Sequence, residues 1–140
     1  MARADFYLID KPRFRENPLL LVCELAKKAF DQQIPTLIYT RDRDQAEALD
    51  ELLWEFDPDA FIAHQIAGDE EDDLTPVLIV PPDADTPTRA LIINLRDSAV
   101  AGNPESVKEV IPADVAEREG SRTRWIEYKS RGFELRKFDM

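Results

Sequence analysis

The most specific chemistry in this sequence lies near its C-terminus, where Arg118, Arg122, Trp125 and Lys129 are spaced by four, three and four positions. On a helix of 3.6 residues per turn they fall within about 60° of one another, three cations around one aromatic ring. Such a stripe suits a short acidic peptide that carries an aromatic side chain or a terminal carboxylate. Arginine pairs with carboxylates, and an indole walls an apolar pocket. Two plainer readings stand beside this one: Trp125 would serve equally as a core residue, and the cations as a solvated helix face. Gly120 also weakens the helix start by about 1 kcal/mol relative to alanine. A helix beginning at Ser121 would carry Arg118 out of the stripe.

A second tryptophan, Trp54, lies on the wheel about 140° from Leu49, among Glu47, Asp50 and Glu51. Burying an indole is worth kilocalories. One on a charged helix face therefore anchors a protein interface, or is covered by the segment that follows it. Phe61 and Ile62 come soon after and extend the same patch.

Other chemistry is excluded by what is missing. No Gly-x-x-x-x-Gly-Lys follows an apolar run, and no Gly-x-Gly-x-x-Gly opens a helix. The first turn, Lys11-Pro12-Arg13-Phe14-Arg15-Glu16, offers no glycine for close approach to a phosphate. One histidine and one cysteine fall short of a zinc set. Cys23 sits on an apolar helix side and reads as a structural thiol. His64 has no cysteine or serine near it to activate. No cofactor, metal or catalytic group is implied.

The chain has 140 residues, 44% hydrophobic and 34% charged, which fits one soluble domain spanning 1–140. No apolar run approaches the roughly 20 residues that cross a bilayer. The first residues lack the plan of a signal peptide, and a single cysteine suits a reducing compartment. A cytoplasmic location is expected. A net charge of −11 argues against direct binding to a nucleic-acid backbone. The charge is uneven, however. The stretch 69–73 is purely acidic and reads as a solvated loop, whereas 118–137 carries seven basic residues against three acidic ones.

These residues need elements to position them. Asp5-Phe6-Tyr7-Leu8-Ile9 reads as a buried strand, ended by Lys11-Pro12. Asn17-Pro18 reads as a helix cap and first turn, followed by a stripe of Leu19, Val22, Cys23, Ala26, Ala29 and Phe30. Thr36-Leu37-Ile38-Tyr39 is a strand, and a helix is expected over 42–56 with Leu49, Leu52, Leu53 and Phe56 on one side. Phe61-Ile62-Ala63 is a short extended piece. The runs 77–80 and 90–95 have the continuous apolarity of inner parallel strands, and 81–87 between them is a proline-rich loop. A weaker strand covers 107–111, a helix covers about 114–131, and 133–135 adds an edge strand. The class is α/β in three layers: a mostly parallel central sheet flanked by helices.

An ordered set of segments resembles the chi subunit of bacterial DNA polymerase III. It comprises Phe6-Tyr7-Leu8, Leu21-Val22-Cys23-Glu24-Leu25-Ala26, Leu49-Asp50-Glu51-Leu52-Leu53-Trp54 and Phe61-Ile62-Ala63-His64. Ala67-Gly68, Ile111-Pro112 and the stretch from Tyr128 through Leu135 complete it. The resemblance implies a non-enzymatic adaptor with two interfaces. One pairs with the psi subunit, which attaches chi to the clamp loader. The other binds the acidic, phenylalanine-terminated tail of single-stranded DNA-binding protein. Carried over by position, the tail-binding residues are Arg118, Arg122 and Trp125, with Ile111 and Lys129 beside them. The psi-facing residues are Trp54, Phe61 and Ile62, and a helicase is the alternative partner for that patch. Where the family more often has tyrosine, this sequence has Trp125, which changes the hydrogen bonding available. The stretch 69–88 and the tail after Leu135 show little likeness. The rival readings are a nucleotide-binding α/β enzyme with an unorthodox phosphate site and a direct single-stranded nucleic-acid binder.

Overall fold

The computed structural model describes all 140 residues, Met1–Met140. In chain order the elements are β1 (Arg3–Leu8), α1 (Pro12–Glu16), α2 (Pro18–Asp31), β2 (Thr36–Tyr39), α3 (Arg43–Glu55) and β3 (His64–Ile66). After a 3-10 turn at Asp72–Leu74 come β4 (Val77–Val80), β5 (Leu91–Asn94), β6 (Ser106–Ile111), α4 (Val115–Ser130) and β7 (Glu134–Asp139). The strands form one sheet in the order β3-β4-β2-β5-β6-β1-β7, with every neighbouring pair parallel. The apolar runs of β4 and β5 are buried throughout, as inner strands covered on both faces must be.

Strand alternation sends the two sets of side chains to different layers. Tyr7, Ile38, Ile79 and Ile93 meet Leu21, Leu25, Leu49 and Leu53 in the core beneath α2 and α3. Phe6, Leu37, Ile92 and Val107 meet Tyr128 and Phe133 in the core beneath α4. Three layers result, as expected, and the sheet is parallel in every pair.

Local departures have local causes. The segment after β1 continues into a short helix, α1, held down by the buried Phe14. Asn17 links α1 to α2 and its side chain makes no capping bond, so Pro18 alone marks that helix start. Asp42, by contrast, caps α3 by accepting from the Gln45 N–H at 2.7 Å. The third strand is His64–Ile66 rather than 61–63. The edge strand β7 runs to Asp139, twice the length expected.

Candidate functional site

Helix α4 is fixed at both ends and along one side. Asp114 accepts from the Ala116 and Glu117 N–H groups at 2.9 and 3.2 Å. At the other end Gly132 has a positive φ of 86°. Its N–H reaches the Lys129 carbonyl, the Phe133 N–H reaches that of Tyr128, and the Tyr128 and Phe133 rings meet at 5.1 Å. This is the Schellman ending, complete with its hydrophobic contact. Gly120 lies inside the helix, not before it.

The inner side carries a polar network. Glu109 on β6 is fully buried. It accepts from Arg124 Nε at 3.0 Å, Asn94 Nδ2 at 2.8 Å and the Tyr128 hydroxyl at 2.7 Å. Tyr128 in turn accepts from the Val100 N–H at 2.8 Å. Burial pushes the Glu109 carboxyl up, and the adjacent Arg124 guanidinium leads the influences that pull it back down. Burial also raises the Tyr128 hydroxyl, so it stays a donor. Four groups on three elements thereby set the rotation of α4. None of this was read from the sequence, where Arg124 was one cation among seven. A charged residue inside the β6 run, Glu109, was the available signal.

With that side turned in, the outer side is determined. Arg122 and Lys129 are exposed and Trp125 is half-buried between them. The Trp125 and Phe6 rings meet in a T-shaped contact at 5.1 Å, which packs part of the indole on the core. Ile126, also exposed, adds apolar surface beside the predicted stripe. Arg118, Arg122 and Lys129 enter none of the ten ion pairs of the protein. Arg118 is tied differently: its guanidinium donates to the Ile9 and Pro112 carbonyls. Ile111 needs correction. It is the last residue of β6 and points into the core at 0% exposure, so it supports the site from beneath and offers no surface.

The second patch is built on α3. Trp54 is 52% exposed and Phe61 77%. The chain after α3 does fold back on the indole, bringing Phe61 edge-on at 5.9 Å and His64 to 4.5 Å. The covering segment raised for Trp54 is therefore present, and the indole still keeps about half of its surface exposed. The His64 ring nitrogens lie 2.7 Å from the Ile62 carbonyl and 3.1 Å from that of Asp50, and whichever carries the proton donates to its neighbour. Ile62 also needs correction, because at 1% exposure it belongs to the core rather than to the patch. Cys23 is buried, and burial pushes its thiol up to about 12.

The carboxyl ends of the strands, where α/β folds often hold ligands, are occupied by arginines. Arg41 donates to the Leu95 carbonyl, Arg96 to those of Thr40 and Val80, and Arg118 to Ile9. Arg96 lies 4.4 Å above the Tyr39 ring.

A family model for the DNA polymerase III chi subunit, HolC, matches residues 1–136. The chain belongs to the DNA polymerase III chi subunit family. Its relatives include the DNA polymerase III subunit chi of Pseudomonas aeruginosa, 34% identical over 96% of this chain and 94% of that protein. The Escherichia coli subunit chi is 30% identical over 96% of both chains, and that of Haemophilus influenzae 27% over 94% of this chain and 93% of that one. Membership of the chi family places the chain with a component of the replicative polymerase. Among solved structures, S. cerevisiae Dbp5 bound to Nup159, Gle1, IP6 and ADP aligns with a TM-score of 0.66 at 14% identity. That alignment covers 97% of this chain and 41% of the other, and at such identity it speaks only of the fold. No helix is long and apolar enough to cross a membrane.

Proposed function

We propose that the protein is a non-catalytic tether, joining the clamp loader of DNA polymerase III to single-stranded DNA-binding protein. The observation that carries this is the outer side of α4, where Arg122 and Lys129 stand free of carboxylates around a half-exposed Trp125. An acidic tail supplies the missing carboxylates, and its terminal phenylalanine packs on Trp125 and Ile126. Arg118 contributes from its anchored position beside Ile9. The Trp54 and Phe61 patch is the surface for the psi subunit or a helicase, an aromatic anchor of the kind that dominates interfaces. Holding the clamp loader beside coated single strands raises its local concentration without contact to DNA.

The test is binding of a labelled acidic peptide ending in Ile-Pro-Phe. Wild type binds, and Arg122→Ala and Trp125→Ala each weaken binding by about tenfold or more, roughly 1.4 kcal/mol. Trp54→Ala leaves peptide binding unchanged. A folded wild-type protein that ignores the peptide would remove this reading, as would retention of a bare single-stranded oligonucleotide through α4.

A further inference from the structure

The helices leave part of the sheet bare. On the face that carries α2, a cleft of about 940 Å³ opens between that helix and strands β5, β6, β1 and β7. Parallel register brings Lys108, Asp5 and Arg136 into one row across its floor. Asp5 is buried and accepts from Arg136 Nε at 3.0 Å, Arg136 Nη2 at 3.3 Å and Lys108 Nζ at 3.3 Å. Lys108 donates also to the Tyr7 hydroxyl at 2.9 Å. One row along β1, Arg3 Nε stands 3.9 Å from Asp5, beyond hydrogen-bond reach, and is buried with no acceptor at all.

Three basic side chains thus share one carboxylate, in a protein whose net charge is −11. Lys28, Glu24 and Glu105 also line the cleft, so its side chains count four cations against three carboxylates. The side chains of Arg3 and Arg136 are 43% and 45% exposed, so their guanidinium edges can be reached from the cleft. A buried donor without an acceptor is costly, and arginine side by side with arginine is repulsive. An oxyanion at the exposed guanidinium edges offsets that repulsion through charge-assisted bonds. Beside the cations lies an apolar wall, with Tyr7 stacked on Phe138 at 5.2 Å.

We propose that this cleft binds an oxyanion, a phosphate or a carboxylate, through Arg3, Lys108 and Arg136, with any apolar body of the ligand against the Tyr7–Phe138 stack. The site lies across the sheet from α4 and does not depend on the tethering role. The plainer alternative is that the cations only neutralise Asp5, in which case added anions have no specific effect.

Thermal unfolding of the full chain decides between them, with inorganic phosphate and phenylpropionate each compared with chloride at equal ionic strength. The expected result is a saturable rise in melting temperature, since a ligand of the native state stabilises it. Arg3→Gln removes a side chain that makes no hydrogen bond and so leaves the fold intact, while weakening the anion by about tenfold or more. Lys137→Gln, next in sequence but on the other face of β7, keeps the effect. Saturation by phosphate at the lower concentration marks a phosphate ligand, and by phenylpropionate a carboxylate on an apolar body. No saturable rise with either anion, or a rise that survives Arg3→Gln as general salting-out would, overturns the proposal.

Discussion

Glu109 shows how much a single side chain can determine here. A carboxylate at full burial is tolerated only when its lone pairs are filled, and Arg124, Asn94 and Tyr128 fill them. Buried pairs of this kind are weak evidence of net stabilisation, but losing one partner is severe because it strands the other charge. Arg124→Ala is therefore expected to cost about 3–5 kcal/mol. Tyr128→Phe, which strands only the Val100 N–H and part of one carboxylate, costs about 1–3 kcal/mol. Urea unfolding with an unchanged m-value checks both. Equal, negligible losses would mean that water replaces these partners and that the network does not hold α4. The same network separates neighbours: Arg124 and Tyr128 position the helix, whereas Arg122, Trp125 and Lys129 stay on its outer side.

Helix α4 pays for nothing at its ends, being capped by Asp114 and closed by Gly132, and its weak point is Gly120. That residue is helical, and a Cβ there would meet only the end of the Arg124 side chain at 3.4 Å. Gly120→Ala should therefore stabilise the protein by about 0.5–1 kcal/mol, raising Tm by about 2–4 °C. A fall in Tm would show that Arg124 needs the space glycine leaves. Elements of this kind were legible to the extent that they bury apolar runs. The strands at 36–39, 77–80 and 91–94 and the stripes of α2 and α3 follow directly from periodicity. The helix α1 was hidden because Lys11-Pro12 reads as a stop, although proline is equally at home in a first helical turn. The stripe on α4 was legible because exposed cations at helical spacing do not depend on tertiary contacts. Ile62 follows from nearness in sequence to Trp54 and Ile111 from the resemblance alone, and neither says which way a side chain turns. Glu109, Arg124 and Arg3 were out of reach, because their partners come from strands far away in sequence.

At the scale of the whole molecule the sheet order separates opposite charges. The acidic stretch 69–73 precedes β4 near one flank, while α4 connects β6 to β7 at the other. Four strand spacings divide β4 from β1, about 19 Å, well beyond the Debye length of about 10 Å at 0.1 M salt. An acidic peptide docked on α4 therefore feels the nearby cations, with the remote acids screened from it. At low salt that screening fails, and the net charge of −11 slows the approach of any acidic partner. Salt then acts in opposite directions on the two rates. From about 0.01 to about 0.5 M salt, the association rate should hold or rise, the dissociation rate should climb, and affinity should fall. Stopped-flow binding of the labelled tail peptide measures both rates. An affinity that stayed level across that range would leave Trp125 packing as the whole interaction and assign no binding role to Arg122 and Lys129. An association rate that fell steeply would show instead that the basic face of α4 dominates the far field, despite the acidic total.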